Sequence, residues 1–180
     1  MWPLLIVLAL AVWLVVMYNG LVQLRESAEA AWSDIDVQLK RRYDLIPNLV
    51  ETVKGYATHE QETLEKVIQA RNRAMGAQGP AAKAEAEGML AGALKNLFAL
   101  SEAYPQLKAA SNFRDLQESL QEVENALSNA RRYYNAVVRD LNTRVQSFPT
   151  VVIARSFGFT QREFFEIDES QRAVPRVSFD

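Results

Sequence analysis

Few residues of this chain are of the types that carry catalytic or metal-binding chemistry. The chain contains no cysteine and a single histidine, His59, which excludes thiolate nucleophiles and metal sites built from paired histidines. Glu60 follows His59, but an HExxH zinc motif needs a second histidine where Thr63 stands. The seven glycines form neither GxxxxGK nor GxGxxG, the phosphate-binding patterns. We therefore predict no catalytic residue, no metal and no cofactor, with chemistry by carboxylates alone left open.

The side chains that remain for recognition are carboxylates, arginines and amides in two regions of the chain. The candidates are Asp36, Arg41, Arg42, Asp44, Asn48, Arg131, Asn135 and Asn142. Together with Glu124 and Ser128, the last three candidates recur at spacings of three, four and seven residues. These spacings predict a polar stripe along one flank of a helix.

Two interpretations of these polar residues are open. In the structural one, which we favour, Arg131 and the asparagines pair with Asp36 or Asp44 and so set the register between long helices. In the other, the stripe forms a groove with Arg41 and Arg42 for an acidic ligand or partner, because arginine forks fit carboxylate and phosphate groups. For the basic run at residues 40–42 itself, a solvated face or intramolecular pairing is favoured over contact with lipid headgroups.

The N-terminal segment has the composition of a membrane anchor. Residues 1–24 contain no charged side chain, and Trp2 to Tyr18 is almost continuously apolar. About 20 helical residues cross a hydrocarbon core of roughly 30 Å, so we predict a transmembrane helix over residues 1–24. A cleaved signal peptide would need a basic start and a small-residue cleavage site, and the sequence has neither.

The basic residues near this span indicate its orientation. None precedes the span, whereas Arg25 and then Lys40 to Arg42 follow it. The positive-inside rule therefore favours a single-pass protein of the cell membrane with its N-terminus outside and its C-terminal domain in the cytoplasm. The opposite orientation stays open, since only Arg25 lies close to the boundary.

The rest of the chain has the length and charge of one helical domain. All 20 basic and 22 acidic residues lie after Leu24, and a net charge of −2 gives no general attraction to nucleic acid. We place the domain at residues 25–166 and a C-terminal tail at 167–180. Apolar spacings of three and four predict an all-α fold, in which the transmembrane helix continues into an elongated antiparallel bundle of about four long helices.

Breakers and caps suggest where these helices end. The first helix is expected to break or kink at Pro47, because proline lacks a backbone N–H and crowds the preceding turn. The other predictions are a second helix over 47–75, a turn over 76–80, a third helix over 81–104 and a fourth over 113–145, with Asn112 as its N-cap and Pro149 as its stop.

The segment after Pro149 is rich in aromatic residues, and we expect it to fold back as a lid over one end of the bundle. Thr160 to Glu163 match a capping box, which predicts a helix of one or two turns starting there. The last residues, 174–180, are expected to be loose or extended.

Several of these segments resemble a known family. Residues 35–57, IDVQLKRRYDLIPNLVETVKGYA, resemble the signature of the LemA family. Further matches are Tyr18-Asn19, Asn112-Phe113, residues 130–135, Phe148-Pro149, residues 157–159 and Phe164-Phe165. The resemblance extends over the whole chain. It implies a bacterial or archaeal single-pass membrane protein with a short outer N-terminus and a bundle of long helices, and it implies no reaction.

Two classes of function follow from these observations. The favoured one is a non-enzymatic, membrane-anchored scaffold or adaptor that contacts the bilayer through residues 1–24 and binds membrane or envelope proteins or a second copy of itself. The alternative is a ligand-binding regulator or an undescribed enzyme with a carboxylate/arginine site between helices. A deep pocket with converging Asp36, Asp44 and Arg131 would favour the alternative, and a filled bundle the adaptor.

Overall fold

The structure, a computed structural model, describes residues 1–166, which contain helices and no strand. The helices are α1 (Trp2–Lys54), α2 (Gln61–Gly76), α3 (Pro80–Ser101), α4 (Pro105–Ala109), α5 (Ser111–Gln146) and α6 (Thr150–Ser156). The predicted all-α class and the continuation of the apolar N-terminal helix into the domain are confirmed. The predicted tail at 167–180, with the loose end at 174–180, lies outside the described residues.

The described chain forms two compact units, and α1 and α5 each contribute to both. Unit 1 comprises residues 1–37 and 128–164, and unit 2 comprises residues 38–127 together with 165 and 166. In unit 1 the core is built from apolar positions at helical spacing. They are Leu21, Ala28, Ala31 and Ile35 on α1, and Tyr134, Val137, Val138 and Leu141 on α5.

The first turns of α1 bury almost nothing against the rest of the described chain. The apolar 18-residue window in this helix is 6% buried. Large side chains such as Trp2, Leu8 and Val15 are more than half exposed. By length and composition, this part of α1 could cross a membrane.

The connections within unit 2 follow from glycine and proline. Gly79 adopts a φ of 80°, a backbone conformation that glycine reaches without strain, and Pro80 then occupies the first turn of α3. The predicted turn over residues 76–80 is thereby confirmed. The third helix ends at Ser101, a few residues before Pro105, which opens the short helix α4.

The fourth helix predicted over 113–145 is confirmed as α5, in which apolar residues at spacings of three and four form a seam. Its buried members are Phe113, Leu120, Val123, Leu127, Tyr134, Val137 and Leu141. Leu116 and Ala130 are half-buried. The helix begins one residue before the predicted N-cap, and the Asn112 side-chain oxygen accepts a hydrogen bond from the Phe113 amide at 3.0 Å.

Pro47 does not interrupt α1, so the predicted break at this residue, and a second helix that starts there, are wrong. The helix runs on to Lys54, and residues 55–60 separate it from α2. Proline has no N–H, so the carbonyl of Tyr43, four residues back, lacks its usual helical donor. Arg71 of α2 donates from Nε to this carbonyl at 2.8 Å. A side chain from a neighbouring helix therefore supplies the hydrogen bond that Pro47 removes.

The predicted helix at Thr160–Glu163 is also wrong. Residues 159–166 have no regular secondary structure, and the short helix of this region, α6, lies before them. A capping signal contributes only about 1 kcal/mol, which long-range hydrogen bonds of the segment can outweigh. Those bonds come from α5 and are described below.

The role of Arg71 can be tested together with Pro47. Arg71→Ala leaves the partly buried Tyr43 carbonyl without this donor, which we expect to lower the free energy of unfolding by about 1–3 kcal/mol. In a Pro47→Ala background, the introduced alanine provides the missing N–H, so the same substitution should cost much less. Denaturant unfolding of the detergent-solubilised chain, followed by circular dichroism, measures both effects.

Arg73→Ala serves as the control, because the Arg73 side chain is 61% exposed and its ion pair with Glu85 spans 3.4 Å at the surface. An equal loss from Arg71→Ala with and without Pro47 would show that Arg71 acts through packing alone.

Candidate functional site

A buried arginine lies at the centre of unit 2. Arg42 of α1 is 2% exposed. Its Nη1 donates to Glu87 Oε2 of α3 at 2.6 Å, and its Nη2 forms an ion pair with Glu124 Oε1 of α5 at 2.6 Å. The hydroxyl of Tyr43 donates a short hydrogen bond to the other oxygen of Glu87. We call these four residues the Arg42 cluster.

The energetics of the Arg42 cluster follow from its burial. Glu87 is completely buried, so its charge depends on the two donors that reach its carboxylate. Removing one partner from such a pair leaves an uncompensated charge, which is strongly destabilising. Because the partners come from α1, α3 and α5, the cluster requires these helices to hold one relative register within unit 2.

One atom of the cluster is not satisfied. Arg42 Nε is buried and has no hydrogen-bond partner within residues 1–166. Both terminal nitrogens of the guanidinium already bind carboxylates of the chain. They are therefore not available as a pair of donors for an acidic ligand. The geometry of the cluster is therefore that of an internal ion pair.

An open cavity of about 350 Å³ lies beside the Arg42 cluster. Leu94, Phe98 and Leu120 contribute apolar lining, and Lys95 with two glutamines contributes polar groups. Among residues 1–166, no three histidine, aspartate or glutamate side chains are grouped so that they could hold a metal ion. The cavity could therefore admit a small amphiphilic molecule, and the Glu124 carboxylate, which pairs with Arg42, also lines it.

The sequence-predicted site residues lie in different environments. Exposed positions are taken by Asp36, Arg41, Asp44 and Asn48, and Arg41 makes a surface hydrogen bond to Gln38 at 3.4 Å. Arg42 is buried and paired within the chain, as favoured for part of the basic run. Arg131 and Asn135 are half-buried, and Asn142 is buried. Pairing of Arg131 with Asp36 or Asp44 stays a prediction.

Sequence reasoning missed Glu87 as the partner of Arg42, although a signal was present. Arg42 continues the apolar spacing of Leu39 and Ile46 on α1, and Glu87 lies three residues before Leu90 on the buried stripe of α3. A charge in register with a core stripe must find a counter-charge, because an isolated buried ion is too costly. When a basic residue and an acidic residue both occupy core positions of predicted helices, the sequence therefore predicts an ion pair between them.

A second polar arrangement, in unit 1, holds the segment after α6 against α5. The Asn142 side chain donates from Nδ2 to the Arg162 carbonyl at 2.9 Å and accepts from the Arg162 amide at 2.8 Å. The Tyr134 hydroxyl donates to the Glu163 carbonyl at 2.9 Å, and Arg162 reaches Glu29 of α1 at 2.6 Å. Asn142 thus binds the backbone as a neighbouring strand would, and no helix forms there.

The protonation state of Tyr134 suits this role. Burial raises the pKa of the Tyr134 phenol above its ordinary value, and the nearby Glu163 carboxylate acts in the same direction, while Arg162 opposes both. A raised phenol pKa means that the hydroxyl keeps its proton through neutral and mildly alkaline pH. The hydrogen bond to the Glu163 carbonyl therefore persists over that range.

Aromatic contacts extend the same segment along α1. The Tyr18 ring lies 4.9 Å from the Phe157 ring and 5.8 Å from the Phe159 ring, and Arg25 stands 5.4 Å over Phe159. From Tyr18 to the Glu29 contact, this path covers about 16 Å of helix. The segment therefore folds back against α1, and its role as a lid over one end of a bundle stays a prediction.

These features define a class of protein: an all-α chain with an exposed apolar N-terminal helix and helical units held by buried polar contacts. The model of the LemA family matches residues 31–179. The chain therefore belongs to the LemA family. The match begins after the apolar part of α1, so it rests on the helical domain.

Individual relatives are distant. Magnetosome protein MamQ of Magnetospirillum gryphiswaldense is 26% identical over 178 residues, which covers 84% of this chain and 65% of that protein. MamQ 2 of Paramagnetospirillum magneticum is 25% identical, with 89% of this chain and 68% of that protein covered. Protein LemA of Metamycoplasma hominis is 25% identical, with 86% and 71% covered. The chain thus spans about two thirds of the MamQ proteins.

The Arg42 cluster is testable by a double-mutant cycle. Arg42→Met removes the cation that faces the buried carboxyl group of Glu87, and we expect it to lower the free energy of unfolding by about 3–5 kcal/mol. Glu87→Met should cost less than Arg42→Met, because Arg42 keeps its ion pair with Glu124. The double variant should lose far less than the sum, because it replaces the pair by apolar groups. Thermal and denaturant unfolding followed by circular dichroism provides the values.

The neighbouring exposed residue provides the control: Arg41→Met should change the free energy of unfolding by no more than about 0.5 kcal/mol. Strict additivity of the two cluster substitutions would contradict the pairing of Arg42 with Glu87 as a stabilising unit.

Proposed function

We propose that this LemA-family protein is a membrane-anchored, non-enzymatic adaptor of the prokaryotic cell membrane. Its helical domain would present a surface to membrane or envelope proteins or to a second copy of the chain. The observation that carries the proposal is the continuity of α1, which passes without interruption from an exposed apolar segment into buried core positions.

The exposure pattern along α1 supports the anchor. Trp2 to Tyr18 would rise about 25 Å as a helix, and its large side chains from Trp2 to Val16 are at least 44% exposed. Leu21, three residues after Tyr18, is 1% exposed. A bilayer around residues 2–18 accounts for this change, because lipid replaces the protein packing that the apolar side chains lack. The packed part of unit 1 would then begin directly at the membrane surface.

The pairing of the charged side chains in the Arg42 cluster supports a role without catalysis. The acids and the arginine that come together in unit 2 are one another's partners. A general acid or base needs access to a substrate, which the buried Glu87 lacks, and Glu124, which does reach the cavity, is already paired with Arg42. The alternative, a ligand-binding regulator, rests on the cavity beside Arg42, whose terminal nitrogens are already occupied. This occupancy favours the adaptor.

For the orientation we propose an outer N-terminus and a cytoplasmic helical domain. Arg25 follows the apolar segment with 47% of its side chain exposed and forms a surface ion pair with Glu26 at 3.2 Å. Arg25 therefore lies where it could interact with the cytoplasmic headgroups.

Anchoring predicts that the full-length protein stays in the membrane pellet after alkaline carbonate extraction. Two acids in the middle of the segment, Leu8→Asp with Val12→Asp, should release it, because each central charge opposes insertion by about 3 kcal/mol. Gln23→Asp, beyond the apolar segment, is the matched control and should remain in the pellet. Release of the unaltered protein by carbonate would contradict the proposal that the apolar segment spans the membrane.

The orientation is tested by labelling single cysteines, which the natural chain lacks. Tyr133→Cys, at a 58% exposed position of α5, should react with a membrane-impermeant maleimide only after spheroplasts are lysed. Trp2→Cys, near the outer end of the span, should react in intact spheroplasts. Labelling of Tyr133→Cys before lysis would place the domain outside while leaving the anchor itself in place.

A further inference from the structure

Unit 1 exposes a second apolar surface, around helix α6. Phe148, just after α5, is 84% exposed. Val152 of α6 is 57% exposed, and Phe157, just after α6, is 64% exposed. We call these three residues the α6 patch. Exposed apolar side chains of this size mark a surface that contacts a membrane or another protein.

The α6 patch lies beside the end of the apolar part of α1. The Phe157 ring is 4.9 Å from the ring of Tyr18, the last residue of the apolar run. A side chain from the end of α5 reaches the same level, because Arg144 Nη1 lies 3.9 Å from the position that a Cβ on Gly20 would take. Helix α6 has seven residues, so Val152 lies only about 8 Å from Phe157 along the helix axis.

The charges around the patch fit an anionic surface. Residues 141–162 contain no aspartate or glutamate and three arginines, Arg144, Arg155 and Arg162. Arg144 and Arg155 are exposed, as is Arg25 on α1. Arginine and aromatic side chains at one level are the combination that favours the headgroup region of a bilayer, where guanidinium groups meet phosphates.

We propose that the α6 patch is a second membrane contact, with Phe148, Val152 and Phe157 inserted into the interfacial region of the bilayer next to α1. Arg144 and Arg155, the exposed arginines of residues 141–162, bind anionic lipid headgroups. The inference rests on the proposed function, because the level of the patch is defined by a membrane-spanning α1. The contact would hold the helical units at a set height against the membrane, which a single spanning helix leaves free to tilt and rotate.

Depth-dependent quenching in vesicles tests this contact on the full-length protein. Phe148→Cys and Val152→Cys, which leave the contact of Phe157 with Tyr18 intact, are each labelled with the fluorophore NBD. The labelled proteins are reconstituted into phosphatidylcholine/phosphatidylglycerol vesicles that contain doxyl-labelled lipid. We expect blue-shifted emission at both positions, and severalfold stronger quenching by doxyl groups near the headgroup than in the labelled Tyr133→Cys control.

A label in the span separates failure of this inference from failure of the anchor. Val12→Cys should be quenched most by doxyl groups deep in the bilayer. If Val12→Cys is quenched while both patch positions fluoresce as in water, the patch serves a protein partner and the inference is overturned, with the anchor intact. If Val12→Cys is not quenched either, the anchor fails and the inference with it. Circular dichroism of each variant verifies that it is folded.

Discussion

The packing of unit 2 depends on the burial of one positive charge. Arg42 occupies a position in the apolar stripe of α1, and a guanidinium there is tolerable only if counter-charges from other helices meet it. Glu87 and Glu124 provide them. Apolar seams at heptad spacing pack almost equally well after a slip of one repeat, but an ion pair with short hydrogen bonds does not survive such a slip. The cluster therefore gives long helices a single register within the unit.

The continuity of α1 is a second constraint, and it also depends on a long-range contact. Arg71 donates to the carbonyl that Pro47 deprives of its helical partner, and the helix goes on to Lys54. A proline whose lost hydrogen bond is replaced costs less than the same proline in an isolated helix. One unbroken helix can therefore contain both an exposed apolar segment, which we assign to the bilayer, and core positions of both units.

In unit 1 the segment after α6 is held by side chains where secondary structure would otherwise satisfy its backbone. Asn142 binds the amide and the carbonyl of Arg162, and Tyr134 binds the next carbonyl. These contacts keep Phe157 and Phe159 against Tyr18. The same arrangement places the α6 patch at the end of the apolar part of α1. Asn142 of the α5 stripe therefore contributes to the proposed membrane surface indirectly, because it holds the backbone of the segment after α6.

The sequence by itself determined the helical class, the apolar anchor segment, the α5 seam and the turn at Gly79, because periodicity, length and the backbone preferences of glycine and proline are local properties. Family membership was also recognisable from the residues around Pro47. The partners of Arg42 and Asn142, the passage of α1 through Pro47 and the extended course of residues 159–166 were decided only by the tertiary structure. In each of these cases a polar group forms a hydrogen bond or ion pair with a residue distant in sequence, and a local sequence pattern does not identify that residue.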